Sequence, residues 1–328
     1  MRYIFLFSFV FLFLLFSCSD EENPTEPNNP VPLSIGEWES KAPMNSPRQE
    51  MPLAVIDGKI YAPGGIRGNR NTAFEMEVYD PAANSWTTAN HMPTPRHHFG
   101  MAVANGKLYV IGGFGGIPFV PERTVFEYDP VADEWATKRR MPTARGSHVA
   151  VTFDNKIYVI GGAGNNGTPL GTLEIYDPAA DAWADDLQEM PTAREHHAAA
   201  AIGSQIYVVG GRFLNGSALQ NVSTLESLDP QTLTWTELPN MLTARSGLAA
   251  AEMNGRLYAI GGEIPGVFSA NEEYDPTTNS WRPVRALPTA RHGMGAVFIN
   301  DMIYVIGGAT VAGFGATGVN EAFSLSLE

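Results

Sequence analysis

Cysteine is almost absent from this chain of 328 residues: Cys18 stands alone, which excludes an intrachain disulfide, a cysteine-based zinc cluster and a thiol redox pair. Positive charge is scarce as well. Against 35 acidic residues there are 21 Lys and Arg, and the formal charge of -14 disfavours nucleic acid as a partner. After Phe16 there is no further long apolar run. Neither a Gly-x-Ser-x-Gly elbow nor a His-Glu-x-x-His helix occurs, so the serine-hydrolase and zinc-protease arrangements built on them are excluded.

What the chain has is a phrase that returns. Apolar runs such as Ile157-Tyr158-Val159-Ile160 end in diglycines at Gly64-Gly65, Gly112-Gly113, Gly161-Gly162, Gly210-Gly211, Gly261-Gly262 and Gly307-Gly308, at intervals of 46 to 51 residues. All six tryptophans, Trp38, Trp86, Trp135, Trp183, Trp235 and Trp281, keep the same beat. Within a period, an apolar strand of small residues leads into a tight turn such as Asn105-Gly106, whose residues accept the positive φ of a two-residue hairpin. A second strand ends at the diglycine and a variable loop follows. A third strand then runs into an Asp-Pro turn, as at Asp129-Pro130, and a fourth carries the Trp. Each period therefore predicts a four-stranded antiparallel meander, with the small first strand innermost and the Trp strand at the rim. The 33 glycines and 24 prolines read as turn chemistry.

The diglycine, the Tyr-Asp-Pro and the spaced Trp together resemble the kelch superfamily over residues 33 to 328. The resemblance implies an all-β fold, a six-bladed kelch-type β-propeller. Leu228 replaces the usual Tyr in the fourth unit, which implies a local repacking only. The repeats start in fourth-strand phase at Gly36-Glu37-Trp38-Glu39 and stop in third-strand phase at Asn320 to Leu327. Residues around 35 to 41 are therefore expected to complete the sixth blade and leave no unpaired edge.

The N-terminus reads as an address. Arg2 precedes an apolar run of 14 residues, Tyr3 to Phe16, suited to a secretory signal. Leu15-Phe16-Ser17-Cys18 resembles the bacterial lipoprotein signal, which implies cleavage after residue 17 and lipidation of Cys18; an ordinary cleaved signal or an uncleaved anchor is the alternative. Residues 18–32, acidic and proline-rich, form a solvated tether. The expected location is the bacterial outer membrane or cell surface, with membrane contact through the lipid only and a monomeric propeller.

The candidate functional residues lie in two sets of loops that alternation of strands puts on one face. The fourth-to-first connections carry Arg48, Arg96, Arg145, Arg194, Arg245 and Arg291 in register. Acids on the third strands, Glu77, Glu127, Glu174, Glu226, Glu272 or Glu273, and Glu321, are expected to pair with them structurally, one per repeat. His148 and His197 are expected to pack. His97, His98, His196 and His292 belong to units two, four and six, and Glu50 and Glu195 hold similar places. Residues of alternate blades do not have to converge, so no metal site is assigned, and no cofactor is called for. The loops after the diglycines differ between repeats and supply Arg67, Phe114, Phe119, Arg212, Phe213 and Glu263. Exposed aromatics beside Arg and Asn, the latter at Asn69, Asn165 and Asn166, suit sugar stacking with hydrogen bonds, or a protein hot spot.

The reading that follows is a non-enzymatic, envelope-anchored binding module whose loop face takes a protein or a glycan. The galactose-oxidase branch of the resemblance needs a Tyr-Cys crosslink at copper, which the single Cys18 does not allow. The enzymatic alternative is a kelch-type sialic-acid mutarotase or epimerase, with Arg67 or Arg212 for the carboxylate and Glu50, Glu195 or a histidine for the anomeric proton.

Overall fold

Turn chemistry and alternation build the same unit six times. In the second blade the strands are Gly100–Ala104, Lys107–Ile111, Val125–Asp129 and Glu134–Lys138, paired in that order. Asn105 and Gly106 take φ of 51° and 73°, as the hairpin requires. Asp129 Oδ1 accepts the amides of Val131 and Ala132 to fix the next turn. The computed structural model describes residues 35–216 and 218–325. The segments 1–17 and 18–32 that are expected to be signal and tether, with Cys18, lie outside the described residues.

The first strands of neighbouring blades meet around the axis. Their small residues, such as Ala150, Ala199, Ala250 and Ala296, line a channel of about 210 Å³. Between blades the facing sheets share one core. Ala54, Ile56, Tyr61 and Val78 of the first blade interdigitate with Met101, Leu108, Val110 and Phe126 of the second. The Val, Leu, Ile, Met and Phe side chains among them contribute roughly 1.5–3 kcal/mol each on burial.

At the rim every tryptophan latches onto the blade before it. Trp86 Nε1 donates to the Ala42 carbonyl at 2.8 Å, Trp135 to Asn90 at 2.9 Å and Trp183 to Arg139 at 3.0 Å. Trp235, Trp281 and Trp38 do the same to Gln188, Pro239 and Arg285. Tyr on the third strand packs against the indole, as in Tyr79–Trp86 with centroids 5.0 Å apart. In the fourth blade Leu228 fills that place in the apolar cluster with Trp235, which is the local repacking expected.

The ring closes as the phase of its ends requires. Glu37–Ser40 pairs antiparallel with Asn320–Ser324, setting Trp38 opposite Phe323, and so provides the outer strand of the sixth blade. Arg285 Nε reaches back to the Gly36 carbonyl at 2.7 Å, fastening the entry to this strand.

The repeat arginines are structural, with one correction. Arg48–Glu77, Arg145–Glu174, Arg194–Glu226, Arg245–Glu272 and Arg291–Glu321 form ion pairs of 2.5 to 2.9 Å, and all five arginines are fully buried. Arg96 does not pair with Glu127. Phe126 stands opposite Val110, where the first blade sets Glu77 opposite Ala62, so Glu127 is one residue out of phase and faces the other side of the sheet. There it meets Tyr109 and Lys107, while Arg96 is left with Thr124, the Phe126 ring and Glu122 at 3.7 Å.

Candidate functional site

Two residues after each repeat arginine the backbone turns left-handed. Glu50, His98, Ser147, His196, Gly247 and Gly293 have φ between 51° and 61°. Their peptide groups close a hydrogen-bonded ring around the axis, each amide donating to the carbonyl of the equivalent residue one blade back. The six bonds, Glu50 to Gly293, His98 to Glu50, Ser147 to His98, His196 to Ser147, Gly247 to His196 and Gly293 to Gly247, measure 2.6 to 3.0 Å. Side chains at this level are thereby fixed by main-chain geometry, and they form one rim of the axial channel.

The residue before each ring position pairs with the residue just past a diglycine: His97 with Phe114, Glu195 with Arg212, Ser246 with Glu263 and His292 with Ala309. This pairing is what draws the variable loops onto the axis. Phe114 and Phe119 stack with centroids 5.1 Å apart and an interplanar angle of 20°, and both lie against His97 and His98. In the fourth blade the loop becomes a hairpin, Arg212–Asn215 with Ala218–Asn221, and Arg212 sits at its base.

A continuous polar network results. Glu50 meets His98 Nε2 at 3.2 Å with one oxygen and His292 Nε2 at 3.4 Å with the other. His292 also faces Glu263 at 3.3 Å. Arg212 donates to Glu263 at 2.7 Å and to Glu195 at 2.9 Å, and its remaining amino group lies 3.2 Å from His196. His196 in turn faces Glu195 at 3.2 Å, and the Nδ1 atoms of His97 and His98 approach to 2.5 Å. The rings of His98 and His196, from the second and fourth blades, are 4.9 Å apart. Alternate blades thus converge.

Burial and charge set the protonation states. Burial pushes His97 down to about 4 and His98 well below the usual imidazole range, so both are neutral at pH 7. Burial works the same way on His292, but its bond to Glu50 and the Glu263 charge outweigh it and raise its pKa. Burial alone would raise Glu50; the imidazoles around it, His98 and His292 first, hold it well below the carboxylate range instead. Glu195 is likewise held far down by His196 and Arg212 against its burial.

Of the residues expected from sequence, His97, His98, His196, His292, Phe114, Phe119, Glu195, Arg212 and Glu263 all come together here. Two do not. Arg67 pairs with Glu75 on the first blade's loop, and Phe213 is half-buried on the hairpin, outside the network. Sequence reasoning missed Ser147, Gly247 and Gly293, although each stands two residues after its arginine, the signal that identifies the ring.

Residues 136–308 match the KLHDC2/KLHL20/DRC7 kelch-repeats domain, and residues 47–93 and 95–142 match the kelch motif. The chain belongs to the kelch-repeat family. It is 46% identical over 52 residues to an F-box/kelch-repeat protein of Arabidopsis thaliana, covering 15% of each chain. To human Kelch-like protein 28 it is 34% identical over 80 residues, which are 22% of this chain and 13% of that one. The chain thus matches only a small part of the length of these relatives. Among solved structures, YjhT superposes with a TM-score of 0.75 at 18% identity, over 87% of this chain and 97% of that one, a likeness of fold.

Proposed function

We propose that the propeller is a non-enzymatic binding module that takes a glycan at the mouth of its loop face. The observation that carries this reading is the Phe119 ring, 42% exposed, stacked on the buried Phe114 beside the Glu50–His98 pair. A sugar offers an apolar C–H face and a rim of hydroxyls; an aromatic platform next to carboxylate and imidazole acceptors matches both. Arg212 is committed to two carboxylates and so serves to hold Glu195 and Glu263 in place. Cys18 lipidation would tether the disc to the outer membrane or cell surface and present this face to envelope or extracellular glycans.

A thermal-shift screen of residues 19–328 against neutral and acidic sugars tests the reading. A ligand of the native state at 100 times its dissociation constant adds about 2.7 kcal/mol of stability. A rise in Tm with one sugar class supports a glycan site. A flat panel contradicts it and leaves the exposed Ile117, Val120, Leu214 and Leu219 of the same loops as a protein-docking face. For the anchor, Cys18→Ala is expected to move the protein out of the membrane fraction; unchanged fractionation contradicts lipidation.

One observation favours a second reading, an exported mutarotase or epimerase of a small acidic sugar. Glu50 lies between the neutral His98 and the basic His292, an acid and a base within one hydrogen bond of each other. Faster anomer exchange of N-acetylneuraminate, lost in Glu50→Gln, supports this reading, and exchange at the uncatalysed rate removes it.

A further inference from the structure

We propose a divalent-metal site of the zinc class on the propeller axis, with the Glu50 carboxylate and the imidazoles of His98 and His196 as ligands. One ligand atom from each lies within 4.8 Å of the other two. Glu50 and His98 are 3.2 Å apart through Oε2 and Nε2. Two ligands held at about 2.0–2.2 Å from one tetrahedral ion are separated by roughly 3.3–3.6 Å, so this pair stands within a few tenths of an ångström of the spacing of metal ligands. A mixed carboxylate and imidazole set suits zinc and neighbouring first-row ions.

Three further features point to an ion. Ser147, the ring residue between His98 and His196, has a buried Oγ with no hydrogen-bond partner among the described residues, and it lines the channel with the three ligands. It offers a fourth contact, direct or through water. Ligating histidines need their second nitrogen held, and His97 Nδ1 stands 2.5 Å from His98 Nδ1. Glu50, Glu195 and Glu263 outnumber the two basic side chains of the network, Arg212 and His292, a balance that favours a cation. Because all three ligands sit on the closed main-chain ring, the site is set by the backbone, and it opens onto the axial channel.

Binding replaces the 3.2 Å Glu50–His98 contact by two bonds to the ion; His98 ligates through Nε2 as the neutral tautomer with its one proton on Nδ1, where His97 Nδ1 accepts it and His97 keeps its own proton on Nε2. The proposal is independent of any sugar. Its test is calorimetric titration of Zn²⁺ into the chelator-treated full propeller, beside His98→Gln, His196→Gln and, as control, His91→Gln at an exposed position. One equivalent is expected to bind, with affinity reduced at least about 10-fold in each ring variant and unchanged in the control. No uptake, or affinity in either ring variant equal to that of the unaltered protein, overturns the proposal. If a ring variant does not fold, the cobalt(II) spectrum of the unaltered protein decides: intense visible bands of a four-coordinate ion are expected, and the weak bands of six-coordinate cobalt overturn it.

Discussion

His292 of the sixth blade meets Glu50 of the first at 3.4 Å, an ion pair across the junction where the ring of blades closes. Its neighbour Gly293 makes room for that pair: a Cβ there would lie 2.4 Å from the Glu50 carboxylate. The left-handed backbone at Gly293, φ +61°, is shared with Gly58, φ +76°, where a Cβ would meet nothing within 4 Å. Alanine at either position is expected to cost about 1–2 kcal/mol for the backbone. Gly293→Ala loses roughly 1.5–3 kcal/mol more as the charged hydrogen bonds of Glu50 are displaced. Urea melts of the two variants measure the difference, and equal losses contradict it.

The buried arginines divide in the same testable way. Arg145 is fully buried against Glu174 at 2.8 Å, so Arg145→Ala strands a carboxylate and is expected to cost about 3–5 kcal/mol. Arg96 has Glu122 at 3.7 Å with a side chain 39% exposed, and Arg96→Ala is expected to cost only about 1–2 kcal/mol. Calorimetric unfolding should rank them in that order, and the reverse order contradicts the assignment.

Acid should unfold the propeller early. Burial pushes His97 down to about 4 and His197 to about 3, and lowers His98 and His148 well below their ordinary value. Each contributes stability that is complete above the unfolded imidazole pKa of about 6.5 and is lost as pH falls toward the folded value. His292, raised, acts oppositely: its contribution is present below about 6.5 and is lost as pH rises through its folded pKa. Below about pH 6.5 the His292 contribution is already complete and does not oppose the four lowered histidines, which give a net loss in acid on the order of 1.4 kcal/mol per pH unit for each proton. Stability from urea melts is expected to fall between about pH 6.5 and pH 4.5, and a flat profile over that window contradicts the account.

The blades were legible because one feature fixed each part of them. The diglycines marked strand ends, the Asp-Pro pairs marked turns, and the Trp at fixed phase marked the rim, so even the exchange of Glu37–Ser40 into the sixth blade followed from counting. The arginine pairs were legible until alternation intervened: Glu127 is adjacent in sequence to its expected place, and one residue turns a side chain to the other face. Convergence of His98 and His196 was not legible, since periodicity gives the height and blade of a residue and says nothing of its distance from the axis. The left-handed turn two residues after each arginine sets that distance, and only Gly247 and Gly293 hint at it in the sequence.

On the proposed reading, a ligand binds at the mouth beside Phe119. Isothermal titration of the best sugar from the thermal screen into the unaltered protein and Phe119→Ala tests it most directly. Loss of the exposed stacking ring is expected to weaken binding by roughly 10-fold, the equivalent of about 1.4 kcal/mol, while Tm without ligand stays close to that of the unaltered protein. Equal affinity of the two proteins would place the ligand elsewhere and contradict the account.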